Sequence, residues 1–257
     1  MIKQTFLSDF GEYESDGYKV TFNAISVKGV RHQRNNEYNQ DYFRCNVKNQ
    51  IKYIILADGL GSAKHSHIGS QKAVDLLEQM INEHFCSEDT LLEKEINAFN
   101  SRFLENWRRI FPNNFREYDT TLLYLIIFKH GVLLGRIGDG LILYSVKNEA
   151  VQINEERNSF SNQTYSLASN NALDYFKSKY TPINFMQEVP IVFILTSDGV
   201  SDDLKHDMLK KLPAYLYDEL REKGVIEMQR VIEDWIINWK TKNHSDDRTF
   251  CILTMWK

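Results

Sequence analysis

Proline, cysteine and long apolar runs are all scarce in this sequence. Only four prolines occur, Pro112, Pro182, Pro190 and Pro213. No Pro/Gly-rich linker, repeat or low-complexity stretch divides the chain, so residues 1–257 are expected to form a single domain. The three cysteines, Cys45, Cys86 and Cys251, are odd in number, widely spaced and free of any C-x-x-C pattern. That argues against a disulfide framework or a zinc knuckle. The longest apolar runs, such as LLYLIIF at 122–128, are far too short to span a bilayer. The first residues, MIKQTFLSDFGEYESDGYK, carry no apolar signal-like stretch, so a reduced, cytoplasmic setting without a membrane partner is expected. A formal net charge of -4 supplies no global basic field for nucleic acid.

What is present is ordinary for a folded domain: 42% hydrophobic and 26% charged residues. Short runs rich in Ile, Val, Leu, Phe and Tyr predict strands at 52–57, 121–128, 132–137, 141–146, 189–196 and 250–255. Apolar residues at spacings of three and four predict helices over 68–84 and 90–110, and around Val231, Ile232, Trp235, Ile236 and Trp239. The aromatic stripes on these helices are read as core. Strands grouped around helices, without strict βαβ alternation, predict an α+β fold.

Three of the apolar runs lead into the same dipeptide: Asp58-Gly59, Asp139-Gly140 and Asp198-Gly199. Asp-Gly is a favoured hairpin pair. LILYSV follows Asp139-Gly140, so a hairpin fits there. Helix-like sequence follows the other two, where a turn explains less. A carboxylate at a strand end beside a glycine suits a hard, oxygen-seeking cation. Asp41 in EYNQDYF, and Asp246 and Asp247 in HSDDRTF, add acidic residues next to two more strands. Oxygen-only donors select Mg²⁺ or Mn²⁺ over Zn²⁺. Asp58 and Asp198 are therefore expected in one divalent-metal site.

Six blocks then occur in an order that resembles the metal-dependent Ser/Thr protein phosphatases of type 2C. They are SVKGVRHQRNNEYNQDYF (26–43), ILADGLGSAKHSHIGSQKAV (55–74), DTTLLYLII (119–127), GRIGDGLILY (135–144), FILTSDGVSDDL (193–204) and SDDRTFCIL (245–253). Gly-Ser-Ala-Lys after Asp58-Gly59 and Gln40 before Asp41 resemble a bacterial branch. The resemblance implies a four-layer αββα sandwich, two antiparallel sheets flanked by helices. It implies two Mn²⁺ or Mg²⁺ ions, with a third, weaker position. Asp58 would bridge the two, Gly59 would lend its carbonyl to one, and Asp198 and Asp246 would hold the other. Asp41 would act through a water, and Asp139 with Asp198 would match the third position.

Such a site hydrolyses phosphoserine and phosphothreonine in proteins by direct attack of water, without a covalent intermediate. The partners implied are phosphoproteins, with a cognate Ser/Thr kinase in bacterial signalling. Two departures matter. Gln40 replaces the usual Glu, which lowers the negative charge of the site. The loop that supplies the phosphate-binding arginine is longer and offers Arg31, His32 and Arg34. Arg31 is favoured from its place after Gly29, and His32 competes as phosphate or acid group. Lys64 could face a phosphorylated substrate or serve at the surface, His65 and His67 are read as surface residues at a helix start, and polar 155–188 as the variable flap. A non-catalytic phosphatase-like binding module and a phosphatase for small molecules are the alternatives.

Overall fold

The structure, a computed structural model, describes residues 6–146, 149–153, 164–239 and 245–257. The chain divides into two compact units. The first comprises residues 1–39, 140–153 and 184–257, and the second 40–139 and 154–183.

The first unit is built on a six-stranded antiparallel sheet. Its strands are β1 (Phe6–Ser15), β2 (Tyr18–Val27), β7 (Leu141–Val146), β8 (Glu149–Ile153), β10 (Ile191–Thr196) and β11 (Arg248–Trp256), in the order β1-β2-β11-β10-β7-β8. Residues Ser15 and Tyr18 pair across a two-residue turn. Its Asp16 and Gly17 have φ of 54° and 77°, the conformation of a type I′ hairpin. A fourth Asp-Gly thus forms a hairpin turn. A helix, Leu212–Ile237, broken at Gly224, covers one face of the sheet. Leu216, Leu220, Met228, Ile232 and Ile236 pack there with Ile25, Val192, Ile194 and Ile252.

The second unit carries a five-stranded antiparallel sheet: β3 (Asp41–Lys48), β4 (Ile51–Asp58), β5 (Leu122–Phe128), β6 (Gly131–Ile137) and β9 (Lys177–Pro182), in the order β3-β4-β5-β6-β9. Helices α2 (Ser66–His84) and α3 (Glu93–Ile110) lie on it; α1 is the short Val30–Arg34 of the first unit. Ala73, Leu77 and Ile81 from α2 and Phe99, Phe103 and Trp107 from α3 join Tyr53, Ile55 and Tyr124 in one apolar cluster. All seven residues of β5 are buried, which is why its sequence shows no alternation. The fold is therefore α+β with two antiparallel sheets flanked by helices.

Three expectations change. Asp139-Gly140 is no hairpin: β6 pairs with β5 and β9, whereas β7 pairs with β8 and β10. The dipeptide carries the chain from one sheet to the other, with Gly138 and Gly140 at φ of 100° and 92°. The C-terminal helix begins at Leu212, well before the aromatic stripe that marked it. The expected flap, 155–188, lies outside the described residues up to 163. Beyond them it contributes β9 to the second sheet. Among the described residues no helix is long and apolar enough to cross a membrane.

Candidate metal and phosphate site

In the second unit, β3 begins at Asp41 and β4 ends at Asp58. The register of the hairpin sets these two residues directly opposite each other. Cross-strand partners hold their Cβ atoms about 4.5–5.5 Å apart, and like charges placed so are destabilising. Asp41 is also only 4% exposed, so its charge is largely removed from water. A divalent cation resolves both penalties, and an all-oxygen donor set suits Mg²⁺ or Mn²⁺. These residues therefore fit the metal that the sequence implies.

Backbone contacts fix the pair. Thr120 Oγ1 donates to the Asp58 carbonyl at 2.8 Å, and the Thr121 N–H donates to the same oxygen at 2.8 Å. The Asp58 N–H donates to Thr121 Oγ1 at 3.1 Å. The Gly59 N–H and the Ser70 hydroxyl both donate to the Gln40 carbonyl, at 3.1 and 2.6 Å. Gln40 thus ties the start of β3 to the loop after Asp58 through its backbone, which any side chain at position 40 permits. Asp139 is half-buried and its Oδ2 accepts from Thr164 Oγ1 at 2.7 Å.

The first unit gathers a second acidic group. Antiparallel pairing of β10 with β11 brings the end of one strand beside the start of the other. Asp198 follows β10 in a short helical turn, Asp198–Ser201, and Asp246 and Asp247 precede β11. The two neighbours differ sharply. Asp246 is exposed at 43% of its side chain, whereas Asp247 is buried at 2%. Asp247 Oδ1 accepts from the Gly29 N–H at 2.6 Å and lies 2.9 Å from His32 Nδ1. Arg31 Nη2 lies 3.0 Å from His32 Nε2 and 3.4 Å from Asp246 Oδ1. A His32 tautomer with its proton on Nδ1 satisfies this chain of contacts. The hydrogen bond to Asp247 raises the His32 pKa above its ordinary value, and burial opposes it.

The sequence-predicted residues therefore separate by environment. Arg31 is an exposed cation on the acidic group, while His32 is 1% exposed and holds Arg31 from behind. Arg34 and Lys64 are exposed. His65, expected at the surface, is half-buried against Tyr118, with ring centroids 5.2 Å apart. Sequence reasoning did not distinguish Asp247 from Asp246, because nothing in SDDRTF says which carboxylate turns inward. It also gave no role to Thr120 and Thr121, although DTT is among the matched blocks.

Residues 28–236 match the family profile described as protein phosphatase 2C. The chain belongs to the protein phosphatase 2C family. No curated protein gives a significant sequence match. Solved phosphatase 2C-like structures share the fold at low identity. The catalytic domain of serine threonine protein phosphatase PstP, in complex with two manganese ions, is similar with a TM-score of 0.63 and 16% identity. The match covers 93% of this chain and 100% of that one. RsbX in complex with magnesium gives 0.60 and 15%, covering 96% and 100%. The serine/threonine phosphatase of S. agalactiae gives 0.61 and 16%, covering 91% and 98%.

In this phosphatase 2C family member, Gly199 beside the second acidic group has no room for a side chain. A Cβ on Gly199 would lie 2.0 Å from the Asp247 carbonyl oxygen. Gly199→Ala should push the 246–247 segment away and lower stability by about 1–3 kcal/mol. A fall in the urea midpoint without a change in slope checks this.

Proposed function

We propose that this chain is a Mn²⁺- or Mg²⁺-dependent protein phosphatase that hydrolyses phosphoserine and phosphothreonine. The observation that carries this reading is the buried Asp41 set directly across from Asp58 at the ends of β3 and β4. Membership of the phosphatase 2C family supports it. In this reading residues 1–257 act as one catalytic domain.

Asp58 and the Gly59 carbonyl would hold one divalent ion, with Asp41 acting through a water, and Asp198 and Asp246 would hold another. Asp139 would belong to a third, weaker position. When bound, such ions lower the pKa of water toward neutrality and neutralise charge on the phosphoryl oxygens. The protein's own groups do the rest. Arg31, exposed and next to Asp246, binds the phosphate dianion through its guanidinium fork. His32 and Asp247 orient Arg31, so His32 is a positioning residue. Gln40 leaves the site one negative charge short of a Glu-Asp pair, which favours weaker, millimolar-range metal binding over a tightly held ion. The reading places the protein in bacterial phosphoprotein signalling in the cytoplasm, opposite a Ser/Thr kinase.

Calorimetric titration with Mn²⁺ tests the metal assignment directly. Saturable binding is expected for the wild type, with affinity reduced at least about tenfold in Asp58→Asn. Undiminished binding in that variant would remove Asp58 from the site.

A further inference from the structure

The second unit holds a polar cavity of about 550 Å³ beside the loop that follows Asp58-Gly59. Leu60, Gly61, Ser62, Arg116, Asp119 and Ser166 are among the residues that line it. We propose that this cavity is a substrate subsite in which Arg116 receives an oxyanionic residue, an Asp or Glu carboxylate or a second phosphate, close in sequence to the residue being dephosphorylated. The proposal rests on the phosphatase reading above.

The charges of the cavity point to an anion. Asp119 is its one carboxylate among the described residues, and its oxygens are already occupied. Oδ1 accepts from the N–H groups of Thr120 and Ala168, both at 2.9 Å. Oδ2 accepts from the Ser166 hydroxyl at 2.7 Å. Burial raises its pKa, partly offset by these donors. Asp119 thus fastens the 166–168 segment to the start of β5 and offers an incoming group little.

The two arginines nearby have different duties. Arg108 donates to the carbonyls of Leu167 and Ser169, at 3.2 and 2.9 Å, so it braces the wall. Arg116 is exposed and makes no ion pair among the described residues. Among the described residues its one hydrogen bond goes to Asn170 Oδ1 at 2.9 Å. Both guanidinium groups lie against the Phe115 ring, at 5.1 and 5.7 Å from its centroid. Stacking holds the Arg116 fork flat while most of its five donors remain for a planar carboxylate or a phosphate. The hydroxyl of Ser62 is a further polar group in the lining.

Position links the cavity to the chemistry. Leu60 follows Gly59 directly, and its N–H donates to the Asp119 carbonyl at 3.0 Å. Thr164, another lining residue, donates to Asp139. The cavity therefore shares its wall with the loop carrying Asp58 and with Asp139. An occupant held there belongs within a few residues of a phosphate bound at that acidic pair, given about 3.3–3.6 Å of extended chain per residue.

The test is a set of phosphothreonine peptides in which Ala, Glu or phosphoserine is placed in turn at each position flanking the phosphothreonine. Steady-state KM and kcat are measured with Mn²⁺ for the wild type, Arg116→Ala and Arg116→Lys. At one position the wild type should show a KM about tenfold lower for Glu or phosphoserine than for Ala. Arg116→Ala should bring that ratio to about one, and Arg116→Lys should retain part of it. Preference for Glu alone assigns a carboxylate, and for phosphoserine alone a phosphate. No preference at any position, or a preference unchanged in Arg116→Ala, overturns the proposal. If the wild type hydrolyses none of the peptides, the phosphatase reading fails, and fluorescence anisotropy on the same labelled peptides decides the subsite. The same tenfold preference, lost in Arg116→Ala, would support it; equal affinities would end it.

Discussion

Asp198→Ala and Asp58→Ala should each lower kcat for a phosphothreonine peptide by at least about 10²–10³-fold, the loss seen when one preorganised electrostatic group is removed from an active site. Both residues follow apolar strands, β10 and β4, whose burial leaves the carboxylates little freedom. The Asp58 backbone makes three hydrogen bonds with Thr120 and Thr121, so the side chain is presented by a rigid frame. The two variants should keep near-wild-type melting temperatures in metal-free buffer. In Asp58→Ala the cross-strand repulsion with Asp41 is relieved, so its metal-free form should be the more stable of the two. Rates come from phosphate release under saturating Mn²⁺. Full activity in either variant would show that its acidic group serves no catalytic purpose.

The second large effect concerns folding. Asp247→Ala removes the acceptor for two buried donors, the Gly29 N–H and His32 Nδ1. Each unsatisfied buried group costs about 1–3 kcal/mol, so a loss of about 3–5 kcal/mol is expected. For a chain of this size that is a fall in melting temperature of roughly 6–20 °C. Asp247→Asn keeps an oxygen that accepts from both donors and should restore most of the loss. Arg31 rests on His32, so the variants should also weaken phosphate binding, seen as a raised KM in Asp247→Asn relative to the wild type. The neighbouring Asp246→Ala should behave in the opposite sense. Its side chain is 43% exposed, so stability should change little while metal-dependent turnover falls.

These contrasts show what the sequence makes legible. Strands buried on both faces, such as β4, β5 and β10, announce themselves as continuous apolar runs, and Asp58 and Asp198 are found by following those runs to their ends. β1 escapes such reading because it is an edge strand with exposed Phe6 and Phe10 among polar residues. β9, written KSKYTP, is likewise at the end of its sheet and too polar to stand out. The Asp139-Gly140 hairpin fails for another reason. Two apolar runs flanking Asp-Gly read alike whether they pair with each other or, as here, with strands of different sheets. The division of labour between Asp246 and Asp247, and between Arg31 and His32, depends on which side chain faces inward. Adjacent residues of like chemistry carry no signal for that.

Phosphate release from a phosphothreonine peptide by metal-stripped protein, before and after restoring Mn²⁺, tests the central claim most directly. Turnover should be absent in chelator, appear with Mn²⁺ and saturate in the millimolar range that Gln40 favours. Turnover that persists undiminished in chelator, or no turnover at saturating Mn²⁺, would contradict it.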